Sequence, residues 1–202
     1  LRYGNSRVTS GRTMGHEISG EIVDVGDKIK GYKIGDKISI GADISSVKNL
    51  AYGHELDGGF SQYMILNSEH IEIGPIEKFQ NINYDIAALA EPLACCLNGY
   101  EKVNFRDYDS VLVLGGGVIG IMLSFIAHLK KIPRIYVGDI VKERVKNCGK
   151  FNFITKCFDL NDLEIFDWKK DKTGFDLIFT ANNSPLSQKQ AIELVDKKGV
   201  VN

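Results

Sequence analysis

Residues 111–120 read VLVLGGGVIG, an unbroken apolar run that ends in three glycines and resumes as apolar residues at helical spacing. Such a run predicts a strand buried on both faces, then a tight turn into a helix. The same grammar continues to the end of the chain. Strands are expected at 111–114, 135–138 and 176–180, with a further one opening at Val200-Val201. Helices are expected at 118–131, 142–150 and 185–197, the last with Pro185 in its first turn. Alternating β and α elements with continuously apolar strands predict an α/β fold built on a parallel, doubly wound sheet.

Gly115, Gly117 and Gly120 stand in G-x-G-x-x-G spacing, with Val118 and Ile119 opening the helix between the last two. Asp139 closes the next strand. The spacing alone is a weak signal, but strand, turn, helix and distal carboxylate together predict a dinucleotide site. Gly115 permits the turn, Gly117 lets backbone approach a pyrophosphate, and Gly120 lets helix and strand pack closely. The helix start supplies free N–H groups and a positive dipole end. A carboxylate at Asp139 suits two ribose hydroxyls and repels a 2′-phosphate by on the order of 4 kcal/mol per charge pair at ~4 Å and a dielectric of ~20. NAD is therefore expected over NADP. Arg144 either lies along the adenine or is a solvated helix residue.

Residues 18–75 are written differently. Lys37-Ile-Ser-Ile40 alternates polar and apolar, Gly26-Asp27 and Gly35-Asp36 supply turns, and 60–66 (FSQYMIL) reads as a strand after Asp57-Gly-Gly59. Short strands between glycine turns suggest a small barrel or sandwich. At Asn83 a helical stretch begins, and Pro92 should break or restart it because proline has no N–H to donate.

A net charge of −1, with 44% hydrophobic and 25% charged residues, excludes a basic nucleic-acid binder. The apolar run 118–126 is far shorter than the ~20 residues that span a bilayer. The four cysteines show no metal-type spacing, and adjacent Cys95-Cys96 read as small core residues of a cytoplasmic protein.

Gly-His-Glu occurs twice, at Gly15-His16-Glu17 and at Gly53-His54-Glu55. With Asp57-Gly-Gly-Phe60, Ala90-Glu-Pro-Leu-Ala94 and the glycine loop, the order of motifs resembles the zinc-dependent medium-chain alcohol dehydrogenases, nearest their polyol (sorbitol) and threonine dehydrogenase branch. The resemblance implies a GroES-like β-rich catalytic domain over residues 1–90 and a Rossmann NAD-binding domain over 91–202. It places the family's metal motif on the first triplet, which is followed by ISGEIVDVG and YKIGDKI. His16 is then the expected ligand and His54 is not one; His54 is either a plain loop residue, the favoured reading, or faces the substrate cleft.

Glu17 is by this likeness either a ligand or a partner orienting one. Glu91 is either a ligand, or holder of water beside the metal, or a carboxylate drawn to a helix start. His16 and Glu17 reach one ion only if the backbone turns between them, since neighbours on a regular strand face opposite ways. Gly15 makes that turn easier. His70 and His128 are expected at the surface. The implied activity is oxidation of a secondary alcohol (a polyol, sugar alcohol or hydroxy-amino acid) by hydride transfer to NAD, with Zn2+ polarising the hydroxyl, Glu17 or Glu91 with water relaying the proton, and the protein a homo-oligomer (dimer or tetramer).

Two departures from the family stand out. Its upstream Cys-Gly ligand segment is missing, and its four-cysteine lobe is replaced by GADISSVKNLAYGHELDGG. The first is expected because the sequence begins too late for it; the second reflects either loss of the lobe or, the favoured reading, omission of a stretch with a seam at Ser45-Ser46-Val47. A zinc-free quinone or enone reductase on the same plan, or a non-catalytic dinucleotide-binding module, are the rival readings.

Overall fold

The computed structural model describes residues 11–45, 50–103, 108–162, 165 and 174–202. The expected seam falls on residues outside this set apart from Ser45. Two compact units divide the chain, Leu1–Ala94 and Cys95–Asn202.

The first unit is built on a three-stranded antiparallel sheet in the order β1 (Ile18–Glu21), β2 (Lys37–Ile40), β5 (Ile76–Lys78). Ile18 pairs with Ile40, and Ile40 with Ile76, so a file of isoleucines crosses the sheet. Ile18, Ile38, Ile40, Ile44 and Tyr52 form the core. A two-stranded pair, β3 (Asp43–Ser45) and β4 (Leu50–Ala51), follows β2. Helix α1 (Ser68–Ile73) and helix α2 (Tyr84–Ala88) complete the unit, together with the first turn of α3 (Ala90–Lys102).

Residues 60–66 are not a strand. Their alternation survives, with Met64 and Leu66 packed on the core and Tyr63 and Ile65 exposed, but no ladder partner pairs with them among the described residues. The helical stretch breaks at Leu89, so Pro92 sits in the first turn of α3, where its missing N–H costs nothing.

In the second unit five strands lie in the order β10 (Val195–Val201), β9 (Phe175–Thr180), β6 (Ser110–Leu114), β7 (Arg134–Asp139), β8 (Lys156–Asp159). All four pairings are parallel. The first strand of the unit, β6, lies in the middle, and the chain winds outward to both sides, which is the doubly wound order. Helices α4 (Val118–Leu129), α5 (Lys142–Cys148) and α6 (Pro185–Leu194) connect the strands. Val111 to Leu114 are wholly buried, as a strand covered on both faces must be.

The sequence reading omits β8 and carries the last helix to Lys197, whereas the chain turns to strand at Val195. Of the adjacent cysteines only Cys96 is buried; Cys95 is exposed. Consecutive helical residues differ by about 100° in direction, so both cannot face one core. No helix among the described residues is long and apolar enough to cross a membrane.

Candidate functional site

Just ahead of β1 the backbone turns at Gly15, whose φ is +95°, and Glu17 lies in a bend. His16 and Glu17 therefore escape the alternation of a regular strand. Any side chain at Gly15 would meet the Phe60 ring at 2.6 Å, so both conformation and space demand glycine there.

The Asp57-Gly-Gly-Phe60 segment is the mould for this turn. Gly58, Phe60 and Gly59 donate backbone hydrogen bonds to the carbonyls of Thr13, Met14 and Gly15 at 2.8, 2.9 and 2.9 Å. Asp57 accepts from Thr13 N–H at 2.9 Å and lies 3.6 Å from the Arg12 guanidinium.

Glu91 arrives from the other side. The Ser19 hydroxyl donates to the Tyr84 carbonyl at 2.8 Å and the Ser39 hydroxyl to the Ala87 carbonyl at 2.9 Å, which fastens α2 across β1 and β2. The chain then breaks at Leu89 and restarts, placing Glu91 in the first turn of α3. Ligand-type atoms of His16, Glu17 and Glu91 all lie within 4.8 Å of one another.

One imidazole nitrogen and two carboxylates are a donor set that suits Zn2+. Tetrahedral bonds of about 2.0–2.1 Å put donors roughly 3.3 Å apart. Side-chain adjustments of about an ångström would close the three onto one ion. His16 and Glu91 are half-buried and Glu17 exposed, so the cluster keeps an open side.

The second triplet stands beside the first. The ring of His54 lies 5.1 Å from that of His16, tilted by 40°. A Cβ on Gly53 would meet the Gly15 carbonyl oxygen at 2.6 Å, so the two glycine turns are packed backbone to backbone. Glu55 is turned away, accepting from Ala51 N–H at 3.0 Å. The sequence leaves His54 either a plain loop residue, the favoured reading, or a residue facing the substrate cleft. The signal that could have placed it was the repeat of the triplet, together with glycines that leave room for two turns to touch.

His70 corrects its surface assignment: it is buried and hydrogen-bonded through Nδ1 to the Tyr52 hydroxyl at 3.0 Å. Burial pushes the Tyr52 phenol up to about 12, so that hydroxyl stays protonated. His128 is exposed and stacks on Phe153.

In the second unit the glycine loop follows β6 at the point where the winding reverses. Gly115 has φ +120°, and a Cβ there would meet the Ala181 carbonyl oxygen at 2.7 Å. A Cβ on Gly120 would run into the Gly115 carbonyl oxygen, so helix and turn pack as closely as backbone allows. Gly117 is different: nothing lies within 4 Å of its Cβ position. No protein atom requires glycine there, whereas a ligand approaching the backbone would. Val118 and Ile119 are exposed on the first turn of α4.

Asp139 is buried and braces this loop. One carboxylate oxygen accepts from Gly116 N–H at 2.7 Å and the other from Val141 N–H at 2.8 Å. Arg144 lies 3.5 Å from it while Lys142 leans 3.9 Å from Asp159. A carboxylate has about four lone-pair sites, so with two amides and the Arg144 guanidinium beside it one, on Oδ1, remains for a ligand's hydroxyl. Asn182, which sequence reasoning passed over, donates to the Leu114 carbonyl and the Ser187 hydroxyl and braces the end of β6 from the β9 side.

Residues 1–76 match the family model of the alcohol dehydrogenase GroES-like domain. The chain is similar to a sorbitol dehydrogenase of Halalkalibacterium halodurans, 28% identical over 97% of this chain and 61% of that protein. Over nearly its whole length the chain is thus similar to polyol dehydrogenases, and its first 76 residues to an alcohol dehydrogenase GroES-like domain. Another similar protein, a D-altritol 5-dehydrogenase of Agrobacterium fabrum, is 29% identical over 79% of this chain and 53% of its own length. The fold is that of the galactitol-1-phosphate dehydrogenase of Escherichia coli, with a TM-score of 0.82 at 18% identity over the whole of this chain and 61% of that one. The chain spans about three fifths of the length of the first of these relatives.

Proposed function

We propose that the protein is an NAD-linked, zinc-dependent dehydrogenase that oxidises a small secondary alcohol of the polyol class. The observation that carries this reading is the convergence of His16, Glu17 and Glu91 within 4.8 Å in a chain similar to polyol dehydrogenases. When bound, zinc supplies Lewis-acid polarisation of a hydroxyl and the nicotinamide accepts the hydride. The rest falls to the chain. His16, with Glu17 and Glu91, would hold the ion; a carboxylate of the pair, Glu17 being the more exposed, is placed to take up the proton and pass it to solvent. The Gly115–Gly120 turn offers backbone N–H groups to a pyrophosphate. Asp139 would accept from a ribose hydroxyl, which is the support for NAD over NADP.

The test is metal analysis of the purified full-length protein, followed by chelation, zinc restoration and assay of a polyol panel with NAD+ and NADP+. Activity that falls with chelation and returns with zinc is expected, with NAD+ preferred. Full activity after exhaustive zinc removal would favour a zinc-free reductase, and nucleotide binding without turnover a non-catalytic module. The family resemblance also carries the proposal of a cytoplasmic homo-oligomer, a dimer or tetramer, which sedimentation of the full-length protein and cell fractionation check.

A further inference from the structure

We infer that His54 is a positioning residue for the metal site: its ring packs against the His16 imidazole and holds that ligand in the orientation in which it meets Glu17 and Glu91. This rests on the proposed zinc dependence and adds to the same site a residue that acts through His16 and not on the ion.

The contact itself is the first observation. The ring centres of His16 and His54 lie 5.1 Å apart at a tilt of 40°. That is inside the range of roughly 4.5–7 Å over which aromatic rings attract each other. His16 has need of such a neighbour. It follows Gly15, and the two positions whose backbone packs on that of Gly15, Gly53 and Gly58, are glycines as well. None of the three has a side chain to lay against the imidazole.

The donor set is the second. The ligand-type atoms that converge belong to His16, Glu17 and Glu91, and His54 stands outside that group. Its Nδ1 donates to the Tyr52 carbonyl at 3.3 Å. A carbonyl only accepts, so this nitrogen carries the proton and has no lone pair to offer an ion.

The third is that His54 is itself held. Gly53 is left-handed, with φ +74°, and donates to the Leu56 carbonyl at 2.9 Å, while Leu56 donates back to the Ala51 carbonyl at 3.1 Å. Glu55 accepts from Ala51 N–H at 3.0 Å. Tyr52, whose carbonyl takes the Nδ1 proton, is buried and tied through its hydroxyl to His70. A ring fixed at its root and at one nitrogen can restrict its neighbour, whereas a loose one could not. The gain is preorganisation: His16 has fewer orientations to give up when an ion binds. Each residue of the second triplet then has its task. Gly53 lets the two turns touch, His54 supplies the ring and Glu55 closes its own turn.

The experiment compares full-length wild type with His54→Ala, His54→Phe and His54→Gln. Phenylalanine keeps a ring without the nitrogens; glutamine keeps an N–H donor for the Tyr52 carbonyl without the ring. Competition with a chromophoric chelator reads zinc affinity, and the absorption spectrum of the cobalt-substituted protein reports ligand geometry, with circular dichroism as the control for folding. His54→Ala is expected still to bind its ion but about 10-fold more weakly, the low end for groups that orient a metal ligand, and to shift the cobalt spectrum. Phenylalanine should recover most of the affinity and the spectrum, and glutamine neither. Wild-type affinity and spectrum in His54→Ala, or recovery by glutamine in place of phenylalanine, would overturn the positioning role and leave the metal site standing. Loss of the ion in all three variants would make His54 a ligand and overturn it too. A wild type that takes up neither zinc nor cobalt sinks the zinc-dependent reading, and this inference with it.

Discussion

The backbone of Gly58 lies so close to that of Gly15 that a Cβ on the first would run into the carbonyl oxygen of the second. The loop carrying Asp57 and the turn carrying His16 are thus one packed unit, although the sequence separates them widely. Gly58→Ala is expected to force the two apart, at a cost of about 1–3 kcal/mol typical of overpacking. Denaturant unfolding should show that loss, and metal analysis should show less zinc retained, since displacement of Gly15 moves His16. A variant with wild-type stability and full metal content would show that the turn tolerates displacement.

Glu91 should matter to the ion more than to the fold. Half-buried in the first turn of α3, its replacement by alanine removes one of three donors. Glu91→Ala is expected to weaken zinc binding by at least about 10-fold, the range seen when even supporting groups of a metal site are removed. Competition with a chromophoric chelator measures this, with circular dichroism as the control for folding. Undiminished zinc affinity would place the ion on other residues.

Asp139 carries two backbone hydrogen bonds and has a lone pair to spare, so changing it has two effects. Asp139→Asn turns one acceptor oxygen into a donor nitrogen facing either Gly116 or Val141 N–H. A cost of about 1–3 kcal/mol in stability is expected from the buried donor left without an acceptor. NADH fluorescence titration should show weaker binding and a smaller preference over NADPH, because the charge opposing a 2′-phosphate is gone.

Tyr52→Phe removes the hydroxyl that meets His70 Nδ1 and leaves a polar ring nitrogen buried without that partner. A loss of about 1–3 kcal/mol is expected on unfolding. Restoring balance with a second change, His70→Leu, should recover part of it, and a double-mutant cycle measures the coupling.

Alkaline conditions should expose the Cys148 thiol's environment. Cys148 is buried beneath the glycine loop, its Sγ 3.7 Å from the Gly116 carbonyl oxygen. Burial pushes its thiol from an ordinary 9.0 up to about 11, with Cys157 and Asp139 adding to the shift. Because the folded value is raised, the contribution to stability is complete below pH 9 and is lost as pH climbs toward 11. Unfolding free energies across that window should fall more steeply for wild type than for Cys148→Ala, and Cys148 should resist alkylation until the protein unfolds.

The doubly wound unit was legible because its signals are local. Leu112 and Leu114 lie in one unbroken apolar run, and each glycine of the turn has its reason within a few residues or on the next strand. Strand β8 was not legible, since Lys156-Cys-Phe-Asp159 has a single fully buried residue and sits at the sheet edge, where half the pattern is polar. Val195 to Lys197 read as the end of a helix, yet Val195 pairs with Phe175 of β9, ahead of an irregularity that runs to Val200. In the first unit His16, Glu17 and Glu91 could be named as candidate ligands from motif resemblance, and the structure brings them within 4.8 Å of one another. The meeting of His16 with His54, and of Tyr52 with His70, could not, because periodicity does not say which turns touch. Only the glycines at 15, 53 and 58 hinted that three stretches of backbone meet there.

The proposed ribose-binding role of Asp139, added to its bracing of the loop, has a consequence for redirecting this protein toward a phosphorylated nucleotide. The group to be replaced is also the clasp that shapes the loop, so a swap at that one position trades recognition against rigidity. A successful redesign would have to supply new acceptors for the Gly116 and Val141 amides before it altered the charge.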